Sequence, residues 1–136
     1  LVLTPHPKEA SRLLNISVEE VLADMEKSAR AISHKFDCVT VLKTHRTIVC
    51  SNDDEIYKNT TGCSALAKAG SGDVLCGMIA GLLAQKMTPF DAAKLGVYLH
   101  GLCGEIAAKT FTEYCVLSMD LINAIPQAVR EVKSEV

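Results

Sequence analysis

The chain has 136 residues, 49% of them hydrophobic and 22% charged, with a formal net charge of −2. This is the length of a single domain, and the balance of residue types excludes a disordered chain. The small negative charge leaves no electrostatic pull toward nucleic acid or an anionic membrane, so a small-molecule partner is expected.

The chain opens Leu1-Val2-Leu3 without a methionine, and reads as part of something longer. No charged-then-apolar leader begins it. Leu1 to Leu3 reads as a buried strand leaving through the stiff turn Thr4-Pro5-His6-Pro7. A short helix is expected over 8–14. Ser17, with Glu20 three residues on, is a capping box. It predicts one helix carrying Val18, Val21, Leu22, Met25, Ala29 and Ile32 on a single face.

The β-branched run Cys38 to Lys43 predicts a central strand. Thr44-His45-Arg46 connects it tightly to a second strand at 47–50. Asn52-Asp53-Asp54 is a turn, and 55–58 a third strand. Residues 62–72 are small and polar, hence a loop. Residues 73–85 are apolar on all sides, which predicts a buried helix, with Gly77 and Gly81 admitting a close neighbour. The apolar part of this helix is far shorter than the ~20 residues of a membrane span. The next helix starts at Thr88 or Asp91 and reaches about Lys109. Ser118 is expected to cap a last helix with the buried stripe Leu121, Ile122, Ile125 and Val129, bent or loosened at Pro126. Strands followed by buried helices predict an α/β fold with no internal boundary.

Six cysteines (Cys38, Cys50, Cys63, Cys76, Cys103, Cys115) include no CxxC pair. They read as packing residues of a reducing, cytoplasmic setting, not as metal ligands or nucleophiles.

Gly70-Ser71-Gly72-Asp73 lies where the loop enters the apolar helix. The first backbone amides of a helix have no internal partner, and the macrodipole adds roughly half a positive charge. Glycines let the backbone curl around an oxyanion, so Gly70, Ser71, Gly72 and Asp73 are the candidate phosphate hole. A carboxylate at such a site has a use in proton abstraction from a hydroxyl, which makes Asp73 the candidate base. Its bland alternative is a charge that merely complements the helix end.

These residues sit inside a longer pattern. Asn59-Thr60-Thr61-Gly62, Ala67-Lys68-Ala69-Gly70-Ser71-Gly72-Asp73-Val74-Leu75 and Gly77 to Gln85 resemble the ribokinase-like superfamily, and within it the ADP- or ATP-dependent NAD(P)H-hydrate dehydratases. So do Leu3-Thr4-Pro5-His6-Pro7 with Glu9, Leu99-His100-Gly101 with Gly104-Glu105, and Asp120-Leu121-Ile122. The resemblance implies a ribokinase-like three-layer αβα fold, of which residues 1–136 are the C-terminal portion of one domain. It implies a lyase that removes water from hydrated NADH or NADPH at the expense of ADP or ATP, with Mg²⁺. By the same resemblance His6 and Asp73 contact substrate, and Glu9 stands near metal. Lys43, Thr44, His45, Arg46, Thr47 and Gly72 contact the nucleotide. Thr44 stands where the family usually has glycine.

Beside these stand plainer readings. His100 is expected to be a satisfied core histidine, His34 a surface residue, Lys68 a solvated lysine and Glu105 a structural carboxylate. Lys43 is either a binding group or the polar end of a strand. Two rival functions remain open: a small-molecule kinase, against which His6 in place of the usual Asn argues, and an inactive fragment needing the remaining half. Self-association and pairing with that half are the open partner alternatives.

Overall fold

One strand, three helices and three further strands come first, and the chain then turns wholly helical. The computed structural model describes residues 1–134. In order they form β1 (Val2–Leu3), α1 (Pro7–Leu14), α2 (Val18–Ala23), α3 (Met25–Phe36), β2 (Val39–Leu42), β3 (Ile48–Cys50) and β4 (Ile56–Lys58). A 3₁₀ turn (Ser64–Leu66), α4 (Ser71–Ala84), α5 (Pro89–Cys115) and α6 (Ser118–Ser134) follow. Two compact units result: residues 1–59 with 87–94, and residues 60–86 with those from 95 onward.

The first unit holds a four-stranded sheet in the order β1-β2-β3-β4. β1 and β2 run parallel, joined through α1 to α3, while β2, β3 and β4 are antiparallel neighbours. Thr40 pairs with Cys50 and Leu42 with Ile48, which puts these residues on one face. On that face Cys38, Leu42, Ile48 and Cys50 pack with Ala10, Val21, Ala29 and Ile32 of the helices. Every residue of β2 is buried, as its β-branched composition predicts for a central strand. Ser33 Oγ of α3 lies 2.8 Å from Thr40 Oγ1 and 3.0 Å from Cys50 O, a buried polar tie to two strands.

The capping box of Ser17 and Glu20 is present, with both reciprocal hydrogen bonds. The single helix expected beyond it is two helices, because the chain breaks at Asp24 (φ −148°, ψ 84°). Aspartate competes for backbone donors, and here its carboxylate accepts the Lys27 N–H at 3.0 Å, starting α3 afresh. Leu22, assigned to the inward face, is 53% exposed.

The second unit packs α4, α5, α6 and the 3₁₀ turn around Ala65, Leu99, Cys103, Ile106, Val116, Leu121, Ala124 and Ala128. α4 is not buried on all sides. Leu75 and Ile79 are buried, but Asp73, Cys76, Gly77, Ala80, Gly81 and Ala84 form an exposed stripe at helical spacing. Small residues count as apolar in a pattern yet do not demand burial. Close approach occurs elsewhere than expected. Gly77 and Gly81 face open space, whereas a Cβ on Gly96 of α5 would lie 2.7 Å from Ile79 Cγ1.

Thr88 starts α5 with its hydroxyl, which lies 3.2 Å from the Asp91 N–H. The helix passes Lys109 and ends at Cys115, broken at Thr112 (φ 63°, ψ 158°). In α6 the inward stripe is Leu121, Ala124 and Ala128, with Ile125 and Val129 packed beside it, while Ile122 is exposed. Ser118 is not the cap. Asp120 reaches back to the Leu117 N–H at 2.8 Å, and the Ser118 hydroxyl donates to Ala69 O at 3.0 Å. The α/β expectation holds, and no described helix is long and apolar enough to cross a membrane.

Candidate active site

In the second unit, α4 begins at Gly70, whose φ of 85° lies in the left-handed region. A Cβ there would also meet Ser118 Oγ at 2.5 Å, so conformation and space both call for glycine. The helical ladder starts with Val74 N–H donating to Gly70 O at 3.2 Å. The Ser71 N–H donates back to Lys68 O at 3.2 Å, which takes one of the four expected amides into the loop. The Gly72 and Asp73 amides have no partner inside the helix, and the exposed Asp73 carboxylate stands in the same turn.

Three ties hold this loop. The first is Ser118 on Ala69 O. In the second, Lys68 Nζ donates to Tyr114 O at 2.6 Å and to Val116 O at 2.8 Å. Lys68 is therefore more than a solvated lysine, because its ammonium donates to carbonyls at and just beyond the C-terminal end of α5. In the third, the buried His100 Nε2 lies 2.9 Å from Ser71 O and 3.1 Å from Ser71 Oγ. The core-histidine reading of His100 is borne out.

The adjoining Thr60–Gly62 segment is fixed on α5 in the same way. Thr61 Oγ1 donates to Tyr98 O at 2.8 Å, and the Gly62 N–H donates to Glu105 Oε1 at 2.7 Å. Glu105 is thus structural, as expected. The partners are 37 and 43 residues apart, so no local signal in the sequence announces them.

In the first unit, His6 and Glu9 stand at the start of α1. His6 Nδ1 accepts the Glu9 N–H at 3.2 Å, and the His6 N–H donates to Glu9 Oε2 at 2.8 Å. The pair is a capping box with Pro7 at the first helical position. Sequence reasoning missed this role because histidine is not among the usual caps. The signal was present in Glu9 three residues after His6, directly behind a proline. Both side chains remain about half exposed, at 49% and 47%.

Lys43 N–H donates to Pro5 O at 2.9 Å, so the 43–47 turn and the His6 segment leave the carboxyl ends of two parallel neighbours, β1 and β2. Ligand sites of α/β folds form at such ends. Thr44 Oγ1 accepts the Arg46 N–H at 3.2 Å and Thr47 Oγ1 donates to Thr44 O at 3.2 Å, which closes the turn tightly despite the missing glycine.

Burial pushes the Cys103 thiol up to about 11 and raises Cys38, Cys50 and Cys63. These four stay protonated and inert near neutrality. Cys76 and Cys115 are exposed. No group of three or more His, Cys, Asp or Glu gathers as a metal cage among the described residues.

Comparison with known proteins gives this geometry a context. The carbohydrate-kinase family model described as NAD(P)H-hydrate dehydratase matches residues 1–127. An ADP-dependent (S)-NAD(P)H-hydrate dehydratase of Neisseria meningitidis is 50% identical over 110 residues, covering 81% of this chain and 37% of that protein. The crystal structure of an ADP/ATP-dependent NAD(P)H-hydrate dehydratase of Bacillus subtilis, co-crystallised with ATP/Mg²⁺, superposes with a TM-score of 0.91 at 34% identity. It is covered to 47%, against 96% of this chain. A ribokinase-like superfamily protein of Enterococcus faecalis superposes with a TM-score of 0.75 at 36% identity, over 96% of this chain and 44% of its own. The chain therefore spans between about a third and a half of the length of these relatives. It belongs to the NAD(P)H-hydrate dehydratase family and carries a ribokinase-like α/β fold.

Proposed function

We propose that the protein containing this chain dehydrates hydrated NADH or NADPH, using ADP or ATP as phosphoryl donor. The observation that carries the reading is the first turn of α4, where the Gly72 and Asp73 amides lack helical partners beside an exposed carboxylate. Family membership supports it, as do the activities for which the Neisseria and Bacillus relatives are named. We further infer that the chain is the C-terminal portion of one ribokinase-like domain and that the protein is cytoplasmic.

In this reading Asp73 takes the proton of the ring hydroxyl as its oxygen attacks the terminal phosphorus. The bond to the departing nucleotide breaks, and the amides of α4 hold the developing phosphoryl charge. Inorganic phosphate then leaves with the electrons of the ring C–O bond. Loss of a proton from the neighbouring ring carbon restores the double bond. Mg²⁺, when bound with the nucleotide, would neutralise phosphate charge, and the half-exposed Glu9 carboxylate is the group proposed to stand near it. Lys43, Thr44, His45, Arg46 and Thr47 are proposed to contact the nucleotide, as is Gly72, and His6 the substrate.

The kinase alternative gains from one observation. His6 caps α1 through its side chain, a task asparagine performs at least as well, so His6 in place of Asn separates the two activities less sharply than its identity suggests. Incubating the intact protein with hydrated NADH plus ADP or ATP tests both. Recovery of reduced-nicotinamide absorbance supports the dehydratase, and phosphorylation without recovery supports the kinase. Asp73→Asn should retain nucleotide binding and lower kcat by roughly 10² to 10⁴. Undiminished turnover in that variant would reduce Asp73 to a helix-end charge.

A further inference from the structure

The bond between His100 and the start of α4 has a consequence for the proposed phosphoryl site. Ser71 O is a carbonyl and only accepts, so His100 Nε2, 2.9 Å away, carries the hydrogen. Both residues are buried, at 7% and 4% exposure, in the low-dielectric interior where such a bond is strong and persistent.

The carbonyl of Ser71 and the N–H of Gly72 belong to one planar peptide unit, in which the two point in opposite directions. Fixing the oxygen on a buried imidazole therefore turns the Gly72 N–H away from the interior. Polarising the carbonyl also makes the same unit a better donor at its other end. Gly72 has no side chain to obstruct the approach of an anion, and its amide has no acceptor inside the helix.

We propose that His100 is a positioning residue for phosphoryl transfer: it aims and polarises the Gly72 amide through the Ser71 carbonyl and touches neither nucleotide nor substrate. This rests on the reading of the α4 start as the phosphoryl site. α5, which carries His100, also holds the Thr60–Gly62 segment through Tyr98 and Glu105, so one helix indexes both loops.

The test compares His100→Gln with His100→Asn in the intact protein. A glutamine amide nitrogen reaches the place of Nε2 and donates there, whereas an asparagine amide falls short. We expect His100→Gln to keep kcat near wild type. His100→Asn should lose roughly 10- to 100-fold in kcat while its Kd for ADP with Mg²⁺ changes little. Independently of turnover, the amide proton resonance of Gly72 should move upfield in His100→Asn and return in His100→Gln. A packing role would alter Tm in both variants without separating their kcat or moving that resonance. Equal kcat in the two variants, or an unmoved Gly72 resonance in His100→Asn, overturns the proposal. If wild type fails to dehydrate hydrated NADH, the dehydratase reading falls, and the Gly72 resonance alone then decides the role of His100.

Discussion

A methyl group on Gly101 would lie 2.0 Å from Thr61 Oγ1 and 2.7 Å from the Thr61 carbonyl carbon. The second contact is with backbone, which cannot swing aside as a side chain can. Gly101→Ala should therefore destabilise the protein by about 3 kcal/mol, measured as a lowered urea midpoint at unchanged m-value. The residue scale is also where the sequence was least legible. His100 meets Ser71 across 29 positions and Lys68 meets Val116 across 48, so neither pairing leaves a local pattern. Gly70 was legible because a loop that enters a helix through the left-handed region calls for glycine, and its φ is 85°. The capping of α1 by His6 was spelled out locally, and was passed over only because the cap is an imidazole.

The helices divide by how local their determinants are. Ser17 and Glu20 form a box whose two halves lie three residues apart, and that start was legible. The break at Asp24 was not, because the apolar positions continue in helical register across it. Asp24→Ala removes the acceptor for the Lys27 N–H and should cost about 1 kcal/mol, seen as a lower Tm. A Tm equal to wild type would mean that packing alone starts α3. In α5 the helical conformation breaks at Thr112, just past the expected reach to about Lys109, and the short stretch beyond it is tied to Lys68, which donates to Tyr114 O from a distant part of the chain. The exposed stripe of α4 escaped notice because alanine, glycine and cysteine look alike to a hydropathy pattern whichever way they face.

For the molecule as a whole, the pH dependence of stability should be asymmetric. The Ser17 backbone N–H holds the Glu20 carboxyl below its ordinary range, Lys58 and Arg30 do so for Glu26, and Arg30 and His34 for Asp54. Carboxylates of lowered pKa stabilise the fold above their unfolded values, and that contribution fades as pH falls through the folded ones. All three lie in the first unit, so hydrogen exchange in acid should quicken first in β4 and the start of α2. At the other limb, the Cys103 thiol ionises near 9.0 when unfolded and at about 11 when folded. Its contribution is intact below pH 9 and declines as pH climbs toward 11. A urea midpoint that stays level across that alkaline interval would contradict the burial of Cys103. The division into units carries a consequence for synthesis. Residues 87–94 complete the first unit, although 60–86 belong to the second. A ribosome must therefore deliver the opening helix of the second unit before the first can close. No single cut of the polypeptide yields either unit whole.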